Sequence, residues 1–372
     1  MKLRHLLGFL PLALLVACSS ADDGNAPRND TQLDAADVAD GDTPERTPSC
    51  LTFDEKVQSA LDTSVVSSKM VDGVIAITTS DCGHSEYFSG KSGLTSDLLF
   101  RIGSNTKTFV SALVLTMTSE GKLALDEPFA AYLPEVTIGQ TITVRQLLNH
   151  TSGLFNYTDD PTLDFKVKAT PSGLVDLALK HDAYFAPGTS WHYSNTNFIL
   201  LGMIAEKIGG APIAKQIRER FLVPHNLTHT FFEGGEEIVG ELAPGFDTKR
   251  RAIPTTYDPS WAWAAGAMVA TPADLGRWIT LLARGEVLPK EAQTELLKGV
   301  KVNDVIEYGL GVFLFSAKAT GKTPAIGHGG DIYGSHSQAF YFPASDMTLV
   351  TISDTDGVSS NDLSIAALDA LP

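Results

Sequence analysis

Cysteine is scarce in this sequence: Cys18, Cys50 and Cys82 are the only three in 372 residues. None stands at metal-ligand spacing from another cysteine or from a histidine, so no metal centre is expected. Positive charge is also short. Lys and Arg number 28 against 44 Asp and Glu, a formal charge of -16, and they form no cluster. Binding a polyanion needs clustered cations that displace its counterions, which excludes nucleic acid as a partner. No internal repeat is present, so a solenoid or propeller is not indicated. Apolar residues, at 43%, are ample for a sizeable core, and the length suits one catalytic core carrying an inserted subdomain.

The N-terminus sets the expected compartment. Lys2 and Arg4 precede an apolar run from Leu6 to Val16 that is too short to span a bilayer, so residues 1–17 read as a signal peptide. The run ends in Leu15-Val16-Ala17-Cys18, which resembles a bacterial lipobox. That resemblance implies a lipidated Cys18 and a chain held at a membrane surface by two or three acyl chains. Ser19, a neutral residue after the cysteine, implies the outer membrane, facing the periplasm or cell surface. The alternative is ordinary cleavage near Ala17, with Cys18 incidental. Residues 18–49 are rich in Asp, Ala, Pro and Thr and read as a disordered acidic tether. The folded domain is expected over residues 50–372. In an exported chain Cys50 and Cys82 either pair or remain two free thiols.

Within the domain, Thr52 and Glu55 form a capping box that opens a helix. Val74 to Thr79 and Glu86 to Ser89 read as a hairpin around Asp81-Cys82-Gly83, and Leu99 to Ile102 as a short strand. From Thr106 to Thr118 the residues are apolar on most faces, the mark of a buried helix, stopped by Gly121. The middle of the chain, from about Leu123 to Leu282, is mainly helices and loops. Strand character returns over Tyr308 to Phe315, His336 to Phe342 and Met347 to Ser353, and Ser360 to Leu371 closes as a helix. The expected fold is α/β (α+β): an antiparallel sheet built from both ends of the chain, flanked by helices, with an inserted mainly helical subdomain.

Three short runs carry candidate chemistry. In Arg101-Ile102-Gly103-Ser104-Asn105-Thr106-Lys107, Ser104 and Lys107 lie three apart at a helix start and so share a face. Burial and the helix dipole both disfavour an ammonium there, leaving an amine able to take the serine proton, while a free backbone N–H of Ser104 can meet a developing oxyanion. In Trp191-His192-Tyr193-Ser194-Asn195, a phenol and an amide two apart in a loop can face one cavity. The phenol relays protons if positive neighbours lower its pKa, and the amide holds a substrate carbonyl or the lysine. Taken alone, this run reads as a surface tyrosine with Asn195 capping the next helix. In Ile326-Gly327-His328-Gly329-Gly330-Asp331, just before the strand near His336, small residues let a substrate lie along an edge strand, and the N–H of Asp331 offers a second oxyanion donor. The bland alternative is a glycine-rich hairpin.

Together, in this order and spacing, the runs resemble the serine β-lactamase and penicillin-binding-protein superfamily, whose signature pairs Ser-x-x-Lys with a Ser-Asp-Asn or Tyr-x-Asn box and a Lys-or-His-x-Gly box. Tyr193-Ser194-Asn195 and His328-Gly329-Gly330 look like the class C branch. Leu147-Leu148-Asn149-His150-Thr151-Ser152-Gly153-Leu154, Ala265-Gly266-Ala267-Met268 and Tyr308-Gly309-Leu310-Gly311 extend the resemblance over most of the chain. It implies Ser104 as nucleophile, Lys107 and Tyr193 as shared base and acid, Asn195 as a substrate-positioning amide, and His328, Gly329, Gly330 and Asp331 as the substrate-binding strand, with no cofactor. His150 is given a structural reading, and His84, His192 and His336 local hydrogen bonding. His328 stands where β-lactamases of this branch carry Lys, and Gly329 lacks the hydroxyl that helps relatives hold a carboxylate. The leading expectation is an acyl-enzyme serine hydrolase like the D-alanyl-D-alanine carboxypeptidases, acting on a small molecule or peptide. An esterase or D-aminopeptidase is the same-fold alternative, and a penicillin-binding sensor or wall-binding module without turnover is the alternative of another class.

Overall fold

A computed structural model describes residues 47–136, 140–254 and 258–371. The signal segment, Cys18 and most of the expected tether lie outside the described residues. Alternating strands from both chain ends form one eight-stranded sheet, in spatial order Gly83–Gly90, Asp72–Thr79, Met347–Ser353, Ser335–Phe342, Ala325–Ile332, Phe313–Phe315, Ile306–Tyr308 and Val300–Lys301. Every pairing is antiparallel. The first and last long strands meet in a register running from Gly73 opposite Ser353 to Thr78 opposite Thr348.

The alternation of these strands sorts two cores. Ile75, Ile77 and Leu349 face the helices Pro48–Ser67 and Asn361–Ala370, where Val57, Leu61, Leu363 and Ala367 are buried. Val74, Ala76 and Val350 face the larger core, built on the helices Thr106–Ser119, Asn195–Gly209 and Pro272–Arg284. In the helix Thr106–Ser119, Phe109, Val110, Leu113, Val114, Leu115 and Met117 are all buried, which is why it is apolar on every side. Fully burying each such side chain contributes roughly 1.5–3 kcal/mol. Phe109 stacks on Trp278 at 3.9 Å, and Trp278 Nε1 donates to Thr108 Oγ1 at 2.7 Å, so the helix is held by packing and by a satisfied buried donor. Gly121, at φ +69°, turns the chain out of it.

Four local expectations change. The first helix begins at Pro48, because Thr47 is the cap that accepts from Cys50 N, and Thr52 instead turns its hydroxyl to Pro48 O inside the helix. Tyr308 to Phe315 is a tight hairpin of two strands, with Gly311 at φ +96° in its loop. The run Ile326 to Asp331 does precede the strand near His336, Ser335–Phe342, but is itself a strand, Ala325–Ile332, rather than a loop. The middle region holds a small sheet of Phe100–Arg101, Met268–Ala270 and Thr230–Phe232 beside its helices. Cys50 and Cys82 are joined in a disulfide.

Candidate active site

Ser104 sits in the single turn Gly103–Asn105 that opens into the buried helix. Gly103 has φ +49°, and a Cβ on it would lie 2.8 Å from Asp331 N, so only glycine fits. The turn is pinned to the strand Ser335–Phe342. Ser337 Oγ donates to Ile102 O at 2.9 Å, Asn105 Nδ2 donates to Ser337 Oγ at 2.9 Å, and Ser335 Oγ donates to Arg101 O at 2.8 Å. Sequence reasoning missed these three serine and asparagine contacts, since nothing in the spacing of single hydroxyl residues marks them.

Lys107 is fully buried, with Nζ 2.8 Å from Ser104 Oγ, 2.8 Å from Asn195 Oδ1 and 2.6 Å from Ala265 O. The amide and carbonyl oxygens can only accept, so they take two N–H groups. Burial holds the amine well below the usual lysine pKa, opposed by the charge of Asp331. In the neutral amine the remaining lone pair therefore faces the Ser104 hydroxyl, the geometry of a base poised on its nucleophile.

The Tyr193 ring lies 5.0 Å from Lys107 Nζ. Its hydroxyl is buried and makes no hydrogen bond of normal geometry among the described residues. Burial drives the phenol's pKa up, outweighing the nearby Ser104 hydroxyl. This corrects the expectation of a lowered pKa: the neutral lysine supplies no stabilising charge, so Tyr193 is poised as an acid. Asn195 does not cap its helix, since the cap residue is Ser194. It holds Lys107 with one end of its amide and donates to Thr158 Oγ1 at 3.2 Å with the other.

The third run forms the wall opposite. The strand Ala325–Ile332 pairs with Phe313–Phe315 only as far as Gly327, so its flank from His328 onward is open on that side. A Cβ on Gly330 would fall 2.0 Å from Ile102 O and 2.9 Å from Ser104 N, placing strand and nucleophile turn backbone to backbone. Ser104 N and Asp331 N thus flank one junction, as two oxyanion donors must. Gly329 lies opposite Gln338, which bonds Ser364 of the C-terminal helix, so position 329 belongs to the sheet face away from Ser104. The Asp331 carboxylate lies on that face too and pairs with His336.

His328 is fully buried. Its Nδ1 donates to Gly329 O at 2.5 Å, leaving Nε2 to accept from the Tyr308 hydroxyl at 2.9 Å. Burial pushes its pKa down to about 3. Both nitrogens are spent on the protein, and the ring is neutral. Of the remaining histidines, His84 bonds Thr78 and Glu86, and His192 Nδ1 bonds Tyr193 O. No group of three or more His, Cys, Asp or Glu among the described residues could hold a metal ion.

An antiparallel sheet whose open strand abuts a Ser-x-x-Lys helix start, with a tyrosine and an amide brought in from a helical lobe, defines the serine β-lactamase and penicillin-binding-protein class. The chain belongs to the Beta-lactamase family, whose model matches residues 65–371. Among curated proteins it is 25% identical over 217 residues to the putative penicillin-binding protein PbpX of Bacillus subtilis, covering 58% of this chain and 53% of that protein. It is 24% identical to penicillin-binding protein 4* of the same organism, covering 72% and 63%. The chain thus spans about half the length of the curated relatives it matches. Among solved structures it is similar to a D-stereospecific amidohydrolase from Streptomyces sp., at TM-score 0.78 and 31% identity, covering 86% of this chain and 99% of that one. A D-amino acid amidase from Ochrobactrum anthropi SV3, complexed with D-phenylalanine, follows at TM-score 0.77 and 25% identity, covering 86% and 98%.

Proposed function

We propose that the chain is a serine hydrolase that forms an acyl-enzyme on Ser104 and favours uncharged amides or esters over substrates with a free carboxylate. The observation that carries the preference is His328: buried, neutral and bonded at both nitrogens, it leaves no cation on this wall to meet a carboxylate. The amidase and amidohydrolase neighbours support an amide substrate of D configuration. The penicillin-binding relatives keep a D-alanyl-D-alanine carboxypeptidase-like activity as the second reading.

The chemistry follows from the contacts. Lys107 Nζ takes the Ser104 proton as Oγ adds to the substrate carbonyl, and the new oxyanion is met by Ser104 N–H and Asp331 N–H. On collapse, the leaving amine or alkoxide takes the Tyr193 proton, which Lys107 replaces. Water then retraces the path, giving its proton to the same pair and releasing the acid. A fluorophosphonate, losing fluoride, or a fluorescent penicillin, opening its ring, should label the wild type with a mass matching one phosphonyl or one acyl adduct respectively, and Ser104→Ala should take up neither. Label on Ser104→Ala would sink the assignment. Comparison of D-phenylalanine amide with its L form and with a D-alanyl-D-alanine peptide tests the preference, which fails if the peptide has the higher kcat/KM. As part of the same proposal, the chain acts at a membrane surface through Cys18. Cys18→Ala should move it to the soluble fraction with its activity intact, and retention in the membrane would refute the anchor.

A further inference from the structure

One buried imidazole takes no part in these steps, yet the loop carrying Tyr193 hangs from it. His150 is fully buried and has φ +62°, a backbone conformation uncommon outside glycine that persists only where the surroundings hold it. Its carbonyl accepts from His192 N at 3.1 Å. Its Nδ1 accepts from Ser194 N at 3.2 Å and from Asn197 Nδ2 at 3.0 Å. The residues on both sides of Tyr193 are therefore bonded to His150. Its ring lies 4.2 Å from the Tyr193 ring and 5.4 Å from that of Phe198, the two aromatic faces under Lys107 Nζ.

The protonation state is set by these partners. Asn197 Oδ1 is taken by Ser152 Oγ at 2.6 Å, so the Asn197 group at His150 is its NH2. With two donors at Nδ1, the proton of the neutral ring is on Nε2, and a proton on Nδ1 would face both N–H groups. Burial keeps the imidazole well below its usual pKa. Among the described residues the Tyr193 hydroxyl makes no hydrogen bond of normal geometry. What fixes the phenol is its ring packing and its flanking backbone, and His150 supplies part of both.

We infer that His150 is a positioning residue for Tyr193, holding the phenol where it can pass a proton between Lys107 and the leaving group. The inference rests on the acyl-enzyme reading above. It is tested with His150→Ala, His150→Asn, Tyr193→Phe and the two double variants, each normalised to the fraction that a fluorophosphonate labels. Asn tolerates the left-handed backbone, and its Oδ1 can replace Nδ1 as acceptor. His150→Ala should lower amide kcat by about 10- to 100-fold, the cost of misplacing a proton donor. His150→Asn should recover part of that loss, and neither change should matter further once Tyr193 is Phe. The p-nitrophenolate burst from an activated ester, whose leaving group needs no proton, should fall far less. Losses that add in the Tyr193→Phe background, or equal losses on amide and ester, overturn the inference. If His150→Ala yields no labelled enzyme, His150→Asn carries the comparison, and equal losses there on amide and ester also overturn it. Failure of the wild type to label, or full amide activity in Tyr193→Phe, would instead overturn the acyl-enzyme reading.

Discussion

A lysine can serve as a base only after losing its proton, and an ordinary lysine keeps it until pH ~10.4. Lys107 escapes that limit because it is sealed from water and its two acceptor oxygens are satisfied by a neutral amine. The proposed base needs the unprotonated form, so kcat/KM should rise with pH through the depressed pKa and level off well below the pH ~10.4 at which an ordinary lysine titrates. His328, titrating near 3, should add no inflection between pH 5 and 8. Arginine, which does not deprotonate in proteins, tests the point directly. Lys107→Arg should lose at least ~100-fold in acylation, the lower range for a lost general base. Acylation within a few-fold of wild type would show that positive charge, not basicity, is what position 107 supplies. That Ser104, Lys107 and Tyr193 meet in one place was readable from sequence because motif spacing encodes it. The choice of Lys107 over a substrate carbonyl as the partner of Asn195, and the raised pKa of Tyr193, were not, because both depend on burial across residues far apart in the chain.

Among the elements, the junction between the first and last long strands holds an unusual pair. Asp72 opens the strand Asp72–Thr79, and Asp354 follows the strand Met347–Ser353; both are buried. Asp72 N donates to Asp354 Oδ1 at 2.9 Å, and Asp72 Oδ1 accepts from Lys91 N and Ser92 N. Burial, and then the neighbouring Asp72, push Asp354 up to about 9. An unfolded aspartate has a pKa of ~3.9. Between those values the folded protein holds a proton that the unfolded chain has released, so this stabilisation is complete below pH ~3.9 and is lost as pH rises toward 9. Asparagine mimics the protonated acid. Asp354→Asn should therefore raise the Tm at pH 8 by about 2–4 °C, as ~1 kcal/mol does in a domain of this order, and flatten its dependence on pH. A lower Tm at pH 8 would show that the ionised form is the one the fold needs. Nothing in the sequence marks this pair, whose members are far apart in the chain. The strands that carry it were legible from period-two apolar runs. The run from Tyr308 to Phe315 was read as one strand because its apolar residues continue through a turn whose sign is glycine alone, and the first helix was started late because Thr52 and Glu55 imitate a cap.

At the scale of the whole molecule, the disulfide lies on the side of the sheet away from the chemistry. Cys50 is buried in the first turn of the helix Pro48–Ser67, which covers the face opposite the nucleophile helix, and Cys82 lies in the turn between the edge strand Gly83–Gly90 and its neighbour Asp72–Thr79. Any pull on the chain before Thr47 enters the fold at this helix start, and the bond passes it to the sheet edge. The two cysteines are 32 residues apart. Closing a loop of that length removes unfolded-state entropy worth about 3–4 kcal/mol. The catalytic groups depend on the other core, on the strand Ala325–Ile332 and on the loops around Tyr193, none of which the bond touches. Cys50→Ser with Cys82→Ser should therefore lower the Tm by about 5–10 °C while leaving kcat/KM at 25 °C unchanged. Reduction of the wild type should reproduce the shift. Calorimetry and amide turnover on the same samples separate the outcomes. An unchanged Tm would mean that the helix start is held without the bond, and a loss of turnover at full stability would mean that the two faces of the sheet are mechanically linked.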